Sequence, residues 1–185
     1  MNTLKLTKKH FKDTDNYWKE YYGKEDISDY HGNIEIEGGL GYVRFDGYLK
    51  AKGYIIAEAG TGIEAGWGIE AGDGIKAGTG IKAGDGIEAG DGIEAGDGIE
   101  AGLAITCKLV LKFSYRIFAG VAVWKNKNNE EKKIICGKLE GGDVCYGDVE
   151  ELGLTKEKES DEVEIVVEGK SKKISRKSAE ALNLI

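Results

Sequence analysis

Proline is absent from this 185-residue sequence, although glycine occurs 29 times. Glycine-rich linkers and low-complexity tails usually contain proline as well, and collagen needs abundant proline with glycine at every third position. Neither class fits this chain. The combination of many glycines with no proline favours glycine at fixed positions of a hydrogen-bonded β framework, in one domain or in one domain with small appendages.

Long apolar runs, a secretion signal and a regular cysteine pattern are also lacking. The longest apolar run, Ile117 to Val123, is far shorter than the roughly 20 residues that cross a bilayer, and the N-terminus has no apolar signal core. The three cysteines are odd in number and have no CxxC spacing, which argues against a disulfide framework or a zinc site. We expect a reducing cytoplasmic compartment, with the cysteines as small buried side chains.

Most of the regularity in the sequence comes from a six-residue repeat. From Gly62 to Leu103 the chain reads GIEAGW GIEAGD GIKAGT GIKAGD GIEAGD GIEAGD GIEAGL. A helix face is excluded, because six residues at roughly 100° each leave successive isoleucines about 240° apart around the axis. Ile-x-Ala instead fits a three-residue strand with Ile and Ala on one side. Gly-Asp-Gly then fits a corner at which glycine takes a positive φ.

Stacked coils of such strands predict a mainly β protein, a β-helix (solenoid) of hexapeptide repeats, with short helices at the N- and C-terminal ends. Two coil sizes fit the charges. Three hexapeptides per coil place Glu64 beside Lys82 and Glu70 beside Glu88, whereas two hexapeptides place Glu64 beside Lys76. The sequence does not decide between them.

Four segments follow from the patterns. Residues 1–31 are predicted to be an N-terminal helical cap, because Phe11, Trp18 and Tyr21 have helical spacing before a stop at Gly23. Residues 32–125 form the predicted β-solenoid, with perfect hexapeptides at 62–103 and degenerate units before them. Residues 126–154 continue as short strands.

The last segment, residues 155–185, is predicted to contain a charged linker, a strand or hairpin around Glu162 to Val167, and a C-terminal helix from Ser175 or Ser178 to Leu184.

Within the solenoid, every second residue from Ile105 to Val123 is apolar. This alternating stretch indicates β structure, but it is too long to be one ordinary strand. We therefore expect two strands with a bend near Ser114 to Arg116 or at Gly120.

The net charge of −7 lies on the repeat, which holds five Glu and four Asp against two Lys, while the rest of the chain is balanced. A rigid column of carboxylates suits a basic surface such as a nucleic-acid-binding groove; alternatively, these are solvated positions that keep strand edges from aggregating. A local basic cluster predicts a secondary nucleic-acid contact or the charged face of a small helix. Its members are Lys170, Lys172, Lys173, Arg176 and Lys177.

The repeat gives little support for catalysis. Hexapeptide acyltransferases place a small residue two positions before the aliphatic one and rely on a histidine in the coils, but His10 and His31 both precede this repeat. Calcium-binding β-rolls need a nine-residue motif that GIEAGDG lacks. The repeat aspartates are therefore poor metal ligands, and we expect no enzymatic activity, no cofactor and no metal.

The tandem GIEAGDG units, RIFAG from Arg116 and CGKLEGGDVCYGDV from Cys136 together resemble small β-solenoid proteins of clostridial phages and mobile elements, similar to candidate anti-CRISPR proteins. The resemblance covers about residues 32–150. It implies a non-enzymatic inhibitor that acts in the cytoplasm of the host bacterium, binds a type II CRISPR effector nuclease, and blocks DNA recognition or cleavage. The alternative is a structural or assembly module of a phage particle with no inhibitory activity.

Several side chains are candidates for the contact with such a partner. An acidic spine, with Trp67 as an aromatic anchor at a corner, consists of Glu70, Asp73, Glu88, Asp91 and Asp97. Trp18, Tyr21 and Tyr22 are expected either to contact the partner from the end cap or to pack over the end of the solenoid. A second copy of the chain can also close an open end, which predicts a homodimer.

Overall fold

In the computed structural model of this protein, the described residues are 1–124, 128–154, 162–167 and 170–175. The chain divides into two units, Met1–Leu154 and Thr155–Ile185. The first unit is a β-solenoid, which confirms the predicted fold class.

The strands of the first unit follow one another around the solenoid. The N-terminal strands are β1 (Asn2–Leu6), β2 (Phe11–Asp13) and β3 (Trp18–Tyr21). The first two coils consist of β4 (Gly32–Ile36), β5 (Gly41–Phe45), β6 (Leu49–Ala51), β7 (Ile55–Ala57), β8 (Thr61–Ala65) and β9 (Ile69–Ala71). The next two consist of β10 (Ile75–Ala77), β11 (Ile81–Ala83), β12 (Ile87–Ala89), β13 (Ile93–Ala95), β14 (Ile99–Ala101) and β15 (Ile105–Cys107). The last two consist of β16 (Val110–Ala119), β17 (Lys133–Cys136), β18 (Lys138–Tyr146) and β19 (Asp148–Glu151).

Each coil of the perfect repeat has three sides and 18 residues, so the three-hexapeptide alternative is the observed one. Ile63 pairs with Ile81 on the next coil, and Ile81 pairs with Ile99. The first face contains β4, β7, β10, β13 and the start of β16; the second contains β5, β8, β11, β14 and the end of β16; the third contains β6, β9, β12, β15, β17 and β19. Within the perfect repeat, pairing along each face is parallel and in register, whereas β16 and β18 pair parallel with register shifts.

The core lies inside the three faces. Ile and Ala of every hexapeptide point inward and are buried, so each column of isoleucines is stacked from coil to coil. Burial of one such isoleucine contributes roughly 1.5–3 kcal/mol to folding. The hydrophobic contribution is therefore spread evenly along the solenoid, as expected when each repeat contacts only its neighbours.

The glycines of the perfect repeat act differently from the sequence-based prediction. None of them has a positive φ; among the described residues, positive φ values occur at glycines outside residues 62–103, such as Gly60 and Gly120. The glycine after each Ala is instead needed for close stacking. A Cβ on Gly84 would overlap the carbonyl oxygen of Gly66 one coil before, and the same holds for the other six equivalent glycines.

The predicted N-terminal helix is wrong. Residues 8–22 contain a single 3₁₀ turn, Lys8–His10, and then β2 and β3, which pair antiparallel with Phe11 opposite Tyr21. β1 adds to β4 and β3 adds to β5, both parallel. The edges of the first coil carry unpaired N–H and C=O groups that strands satisfy and a helix does not. The segment therefore caps this end of the solenoid by extending its sheets.

Two predictions about the C-terminal half can be compared with the structure. The bend near Ser114 to Arg116 is confirmed, because β16 changes face between Phe113 and Arg116, but β16 continues through the bend as one strand instead of dividing into two. In the second unit, β20 (Glu162–Val167) and β21 (Lys170–Ser175) form an antiparallel hairpin. Between β16 and β17 the described residues include one 3₁₀ turn, Glu130–Lys132. The predicted C-terminal helix beyond Ser175 falls outside the described residues.

The stacking of the coils predicts unequal effects for two alanine substitutions. Gly84→Ala forces a Cβ into the carbonyl of Gly66 and is expected to destabilise the protein by about 1–3 kcal/mol. Gly74→Ala is the matched control, because its Cβ meets only the Gly92 carbonyl oxygen at 3.2 Å. We expect a change within about 0.5 kcal/mol for the control, measured by urea unfolding. Equal losses in the two variants would contradict this role of the second glycine.

The three cysteines differ in their surroundings. Cys107 and Cys136 are buried in the core, whereas Cys145 is exposed. Burial raises the pKa of Cys107 to about 12 and that of Cys136 to about 11. Because the thiolate is the reactive form, both core thiols are protected by burial and by protonation.

Thiol titration tests this difference. With an aromatic disulfide reagent at pH 8, we expect one rapid equivalent per folded chain, from Cys145, and three in denaturant; Cys145→Ser is expected to abolish the rapid phase. Three rapid equivalents from the folded chain would contradict the burial of Cys107 and Cys136.

The raised pKa values of the two core thiols also predict that the stability of the protein depends on pH. The folded pKa values of Cys107 and Cys136 lie above the unfolded value of 9.0, so their contribution to stability is fully present below pH 9 and is lost between about pH 9 and 12.

Candidate interaction surface

The outward side chains alternate in charge from β10 to the start of β16 on the first face and from β5 to β14 on the second. On the first face, Glu94 lies between Lys76 at 3.1 Å and Lys112 at 3.7 Å. On the second face, Lys82 lies beside Glu64 and Glu100, with Nζ 3.2 Å from the Glu100 carboxylate. The carboxylates of these two faces are therefore largely balanced by neighbouring lysines.

The third face does not alternate. Glu70 accepts from Lys50 at 2.7 Å, and Glu88 follows it on the next coil, directly opposite Glu70 in the strand register. Glu88 is exposed, and the described residues provide it with no ion-pair partner. Two glutamates thus occupy neighbouring strands of this face, whose backbones are about 4.8 Å apart.

A second pair of acids lies at the corner between the third and first faces. Asp73 and Asp91 occupy this corner on the same two coils as Glu70 and Glu88, and the amide of Asp91 donates to the Asp73 carbonyl at 3.0 Å. Both side chains are exposed. We call these four residues, Glu70, Asp73, Glu88 and Asp91, the acidic surface.

The other two candidates on the predicted spine lie elsewhere. Asp97 stacks on Thr79 at the corner between the first and second faces. Trp67 lies at the corner between the second and third faces, where its ring makes an edge contact with Tyr48 at 5.2 Å. The structure therefore brings together four of the six residues and places Trp67 across the third face from Asp73 and Asp91.

The aromatic residues of the N-terminal segment close the solenoid end to different extents. Tyr21 packs against Phe11 and Phe45, while the Arg44 guanidinium lies 4.9 Å from the Trp18 ring centroid. Tyr22 is exposed, and its hydroxyl donates to the Lys9 carbonyl at 2.7 Å. Two of the three candidates thus pack against the cap, and Tyr22 presents its ring to solvent.

A buried carboxylate connects the cap to the second face. Glu64 is only 6% exposed, and it accepts from Arg44 Nη1 at 2.9 Å and from the Tyr17 hydroxyl at 3.2 Å. Burial raises the pKa of Tyr17, so the phenol stays protonated and donates to the carboxylate. This network holds the cap in place.

Shallow grooves lie along the three faces, and sequence reasoning missed them. Tyr42, Tyr48 and Tyr54, spaced by one repeat length, each stand at the head of a groove whose floor is formed by repeat glycines. The six-residue spacing of these tyrosines was the signal that could have identified the grooves. The Tyr48 groove, of about 480 Å³, runs along the third face past Glu70, Asp85 and Glu88.

The Tyr48 groove shows how this face binds a cation. The Lys50 ammonium lies 4.1 Å from the Tyr48 ring centroid and 2.7 Å from the Glu70 carboxylate. The Glu70 hydrogen bond raises the pKa of Lys50, so the ammonium stays charged. An aromatic face and a carboxylate together therefore hold one positive group at the head of the groove.

The basic cluster is described only in part. Lys170, Lys172 and Lys173 belong to β21, opposite Val167, Ile165 and Glu164 in the register. Arg176 and Lys177 fall outside the described residues. The cluster therefore begins on a strand rather than beside a helix, and its contact with nucleic acid stays a prediction.

Comparisons with known proteins identify no relative. No protein-family model matches the chain, and neither the curated proteins nor the solved structures give a significant match. Among the described residues, no helix has the length and apolar character needed to span a membrane. In the same part of the chain, no group of three or more His, Cys, Asp or Glu side chains is placed to hold a metal ion.

Charge reversal on two faces is expected to change stability in opposite directions. Glu88→Lys replaces a like-charge neighbour of Glu70 with an opposite one and should stabilise the protein by about 0.2–1 kcal/mol. Glu94→Lys places a lysine between Lys76 and Lys112 and should destabilise it by a similar amount. Both effects should shrink in high salt. Thermal unfolding at low and high ionic strength measures them, and a shift of the same sign in both variants would contradict the difference between the faces.

Proposed function

We propose that this protein is a non-enzymatic inhibitor of host CRISPR immunity, which binds a type II effector nuclease in the bacterial cytoplasm and blocks DNA recognition or cleavage. The observation that carries the proposal is the acidic surface, where Glu88 follows Glu70 and Asp91 follows Asp73 with no lysine between them; Lys50 pairs with Glu70 alone. The resemblance of the repeat to candidate anti-CRISPR proteins supplies the class of partner.

A nuclease binds DNA through a basic groove that neutralises closely spaced phosphates. The acidic surface offers carboxylates at fixed positions on a rigid scaffold, so little conformational entropy is lost when they meet such a groove. The net charge of −7 adds a long-range field that accelerates the encounter. The protein would then compete with phosphate for the same arginine and lysine side chains.

A structural module of a phage particle is the other candidate. In that role the solenoid needs only to be stiff, and ion pairs between neighbouring coils, as on the first two faces, suit its charged outward positions. Glu70 beside Glu88 and Asp73 beside Asp91 add like-charge repulsion that a spacer does not require. The acidic surface therefore favours a binding role.

A plasmid-interference assay tests the proposal, with co-purification of the effector as a second measurement. We expect the protein to restore plasmid survival in cells with an active type II system and to capture the nuclease. The variant Glu70→Gln, Asp73→Asn, Glu88→Gln, Asp91→Asn should lose both effects and should also lose most of the salt dependence of binding.

The matched control is Glu58→Gln, Glu94→Gln, Asp97→Asn, Glu100→Gln, which changes the net charge equally but leaves the acidic surface intact. Exposed ion pairs contribute little to stability, so this control should fold and inhibit normally. Unimpaired interference with no captured nuclease would refute the inhibitor. Equal loss in both variants would show that net charge, rather than the acidic surface, governs binding.

A further inference from the structure

Two exposed tryptophans lie along the corner between the second and third faces. Trp67 follows Gly66 and is 57% exposed, while Trp124 lies shortly after β16 and is 59% exposed. A Cβ on Gly102 would lie 2.8 Å from a ring carbon of Trp124, so this ring covers Gly102. Gly66, Gly84 and Gly102 stack directly on one another. Gly66 and Gly102 are therefore two coils, or about 10 Å, apart along the corner, with Trp67 directly after the first and the Trp124 ring over the second.

Asp85 occupies the coil between the two tryptophans. Its amide donates to the Trp67 carbonyl at 3.1 Å, and the amide of Leu103 donates to the Asp85 carbonyl at 3.2 Å. The described residues include no ion-pair partner for the Asp85 carboxylate. This corner thus presents a carboxylate with an exposed indole on each side, next to the Tyr48 groove.

The chemistry of this corner fits a guanidinium group. A carboxylate accepts two parallel N–H groups from arginine, and indole rings attract the flat face of the same cation. The adjacent Lys50 already binds in this manner, with one carboxylate and one aromatic ring. Tryptophan is also the residue type that contributes most often to strong protein contacts.

We propose that the corner formed by Trp67, Asp85 and Trp124 binds an arginine side chain on a basic protein partner. The guanidinium pairs with Asp85 and packs against the two indole rings, while the acidic surface on the far side of the third face contributes longer-range attraction. This assignment rests on the proposed function, because it names the group through which the partner nuclease is anchored. It adds Asp85 and Trp124 to the contact.

Binding of hexa-arginine and hexa-lysine peptides to the full chain tests the corner without the nuclease. Calorimetry at physiological salt should show tighter binding of hexa-arginine, and titration should change tryptophan fluorescence. Asp85→Asn should weaken hexa-arginine binding about tenfold, and Trp67→Ala should weaken it several-fold. Asp97→Asn is the matched control, since it removes one corner carboxylate without neighbouring tryptophans, and should change affinity less than twofold.

Equal weakening by Asp85→Asn and Asp97→Asn, or equal affinity for the two peptides, would overturn the arginine site. Nuclease capture separates this result from the proposed function. If nuclease capture depends on the acidic surface but is unchanged by both Asp85→Asn and Trp67→Ala, the proposed arginine site is refuted and the proposed inhibitor function is retained. Selective hexa-arginine binding without any nuclease capture would refute the inhibitor and retain the corner as an arginine site. Circular dichroism of each variant confirms that the solenoid is folded.

Discussion

The close approach of one coil to the next is the constraint on which the solenoid depends. At every second glycine of the repeat, the carbonyl oxygen of the preceding coil occupies the space that a Cβ would need. This contact fixes the distance and the register between coils. Isoleucine then stacks on isoleucine, corner on corner, and outward side chain on outward side chain. The core and the surface are consequences of the same stacking.

The surface chemistry follows from which residues are brought together at a separation of 18 residues. Lysines at positions 76 and 82 neutralise the first and second faces, because each stacks beside a glutamate. On the third face no lysine stacks on Glu70 or Glu88 from the following coil, so these two carboxylates are neighbours. Lys76 and Lys82, which stand where the other repeats have Glu, thereby leave the third face more negative than the other two. Rigid placement makes this asymmetry useful for recognition.

The sequence predicted the solenoid and its inward Ile and Ala because a period of six fits no helix and strand alternation is a local property. The number of hexapeptides per coil could not be predicted from the sequence, because Glu64 lies beside a lysine with either two or three hexapeptides per coil. For the same reason it could not separate Asp97 from Asp73 and Asp91, which depends on the corner each occupies. The N-terminal error has another cause. Phe11, Trp18 and Tyr21 have helical spacing, but the decisive partners are unpaired sheet edges distant in sequence. Trp67 and Trp124 likewise lie on the same corner only because the coils stack.

The three-sided coil also restricts how such a chain can change in length. Loss or gain of three hexapeptides removes or adds one whole coil, and every downstream strand keeps its face. Loss or gain of a single hexapeptide turns all downstream strands by one face, so that β16 and the residues after it as far as Trp124 would follow a different side of the solenoid. Trp124 would then leave the corner of Trp67. Although the repeat unit has six residues, the surface is preserved only by insertions and deletions in multiples of 18.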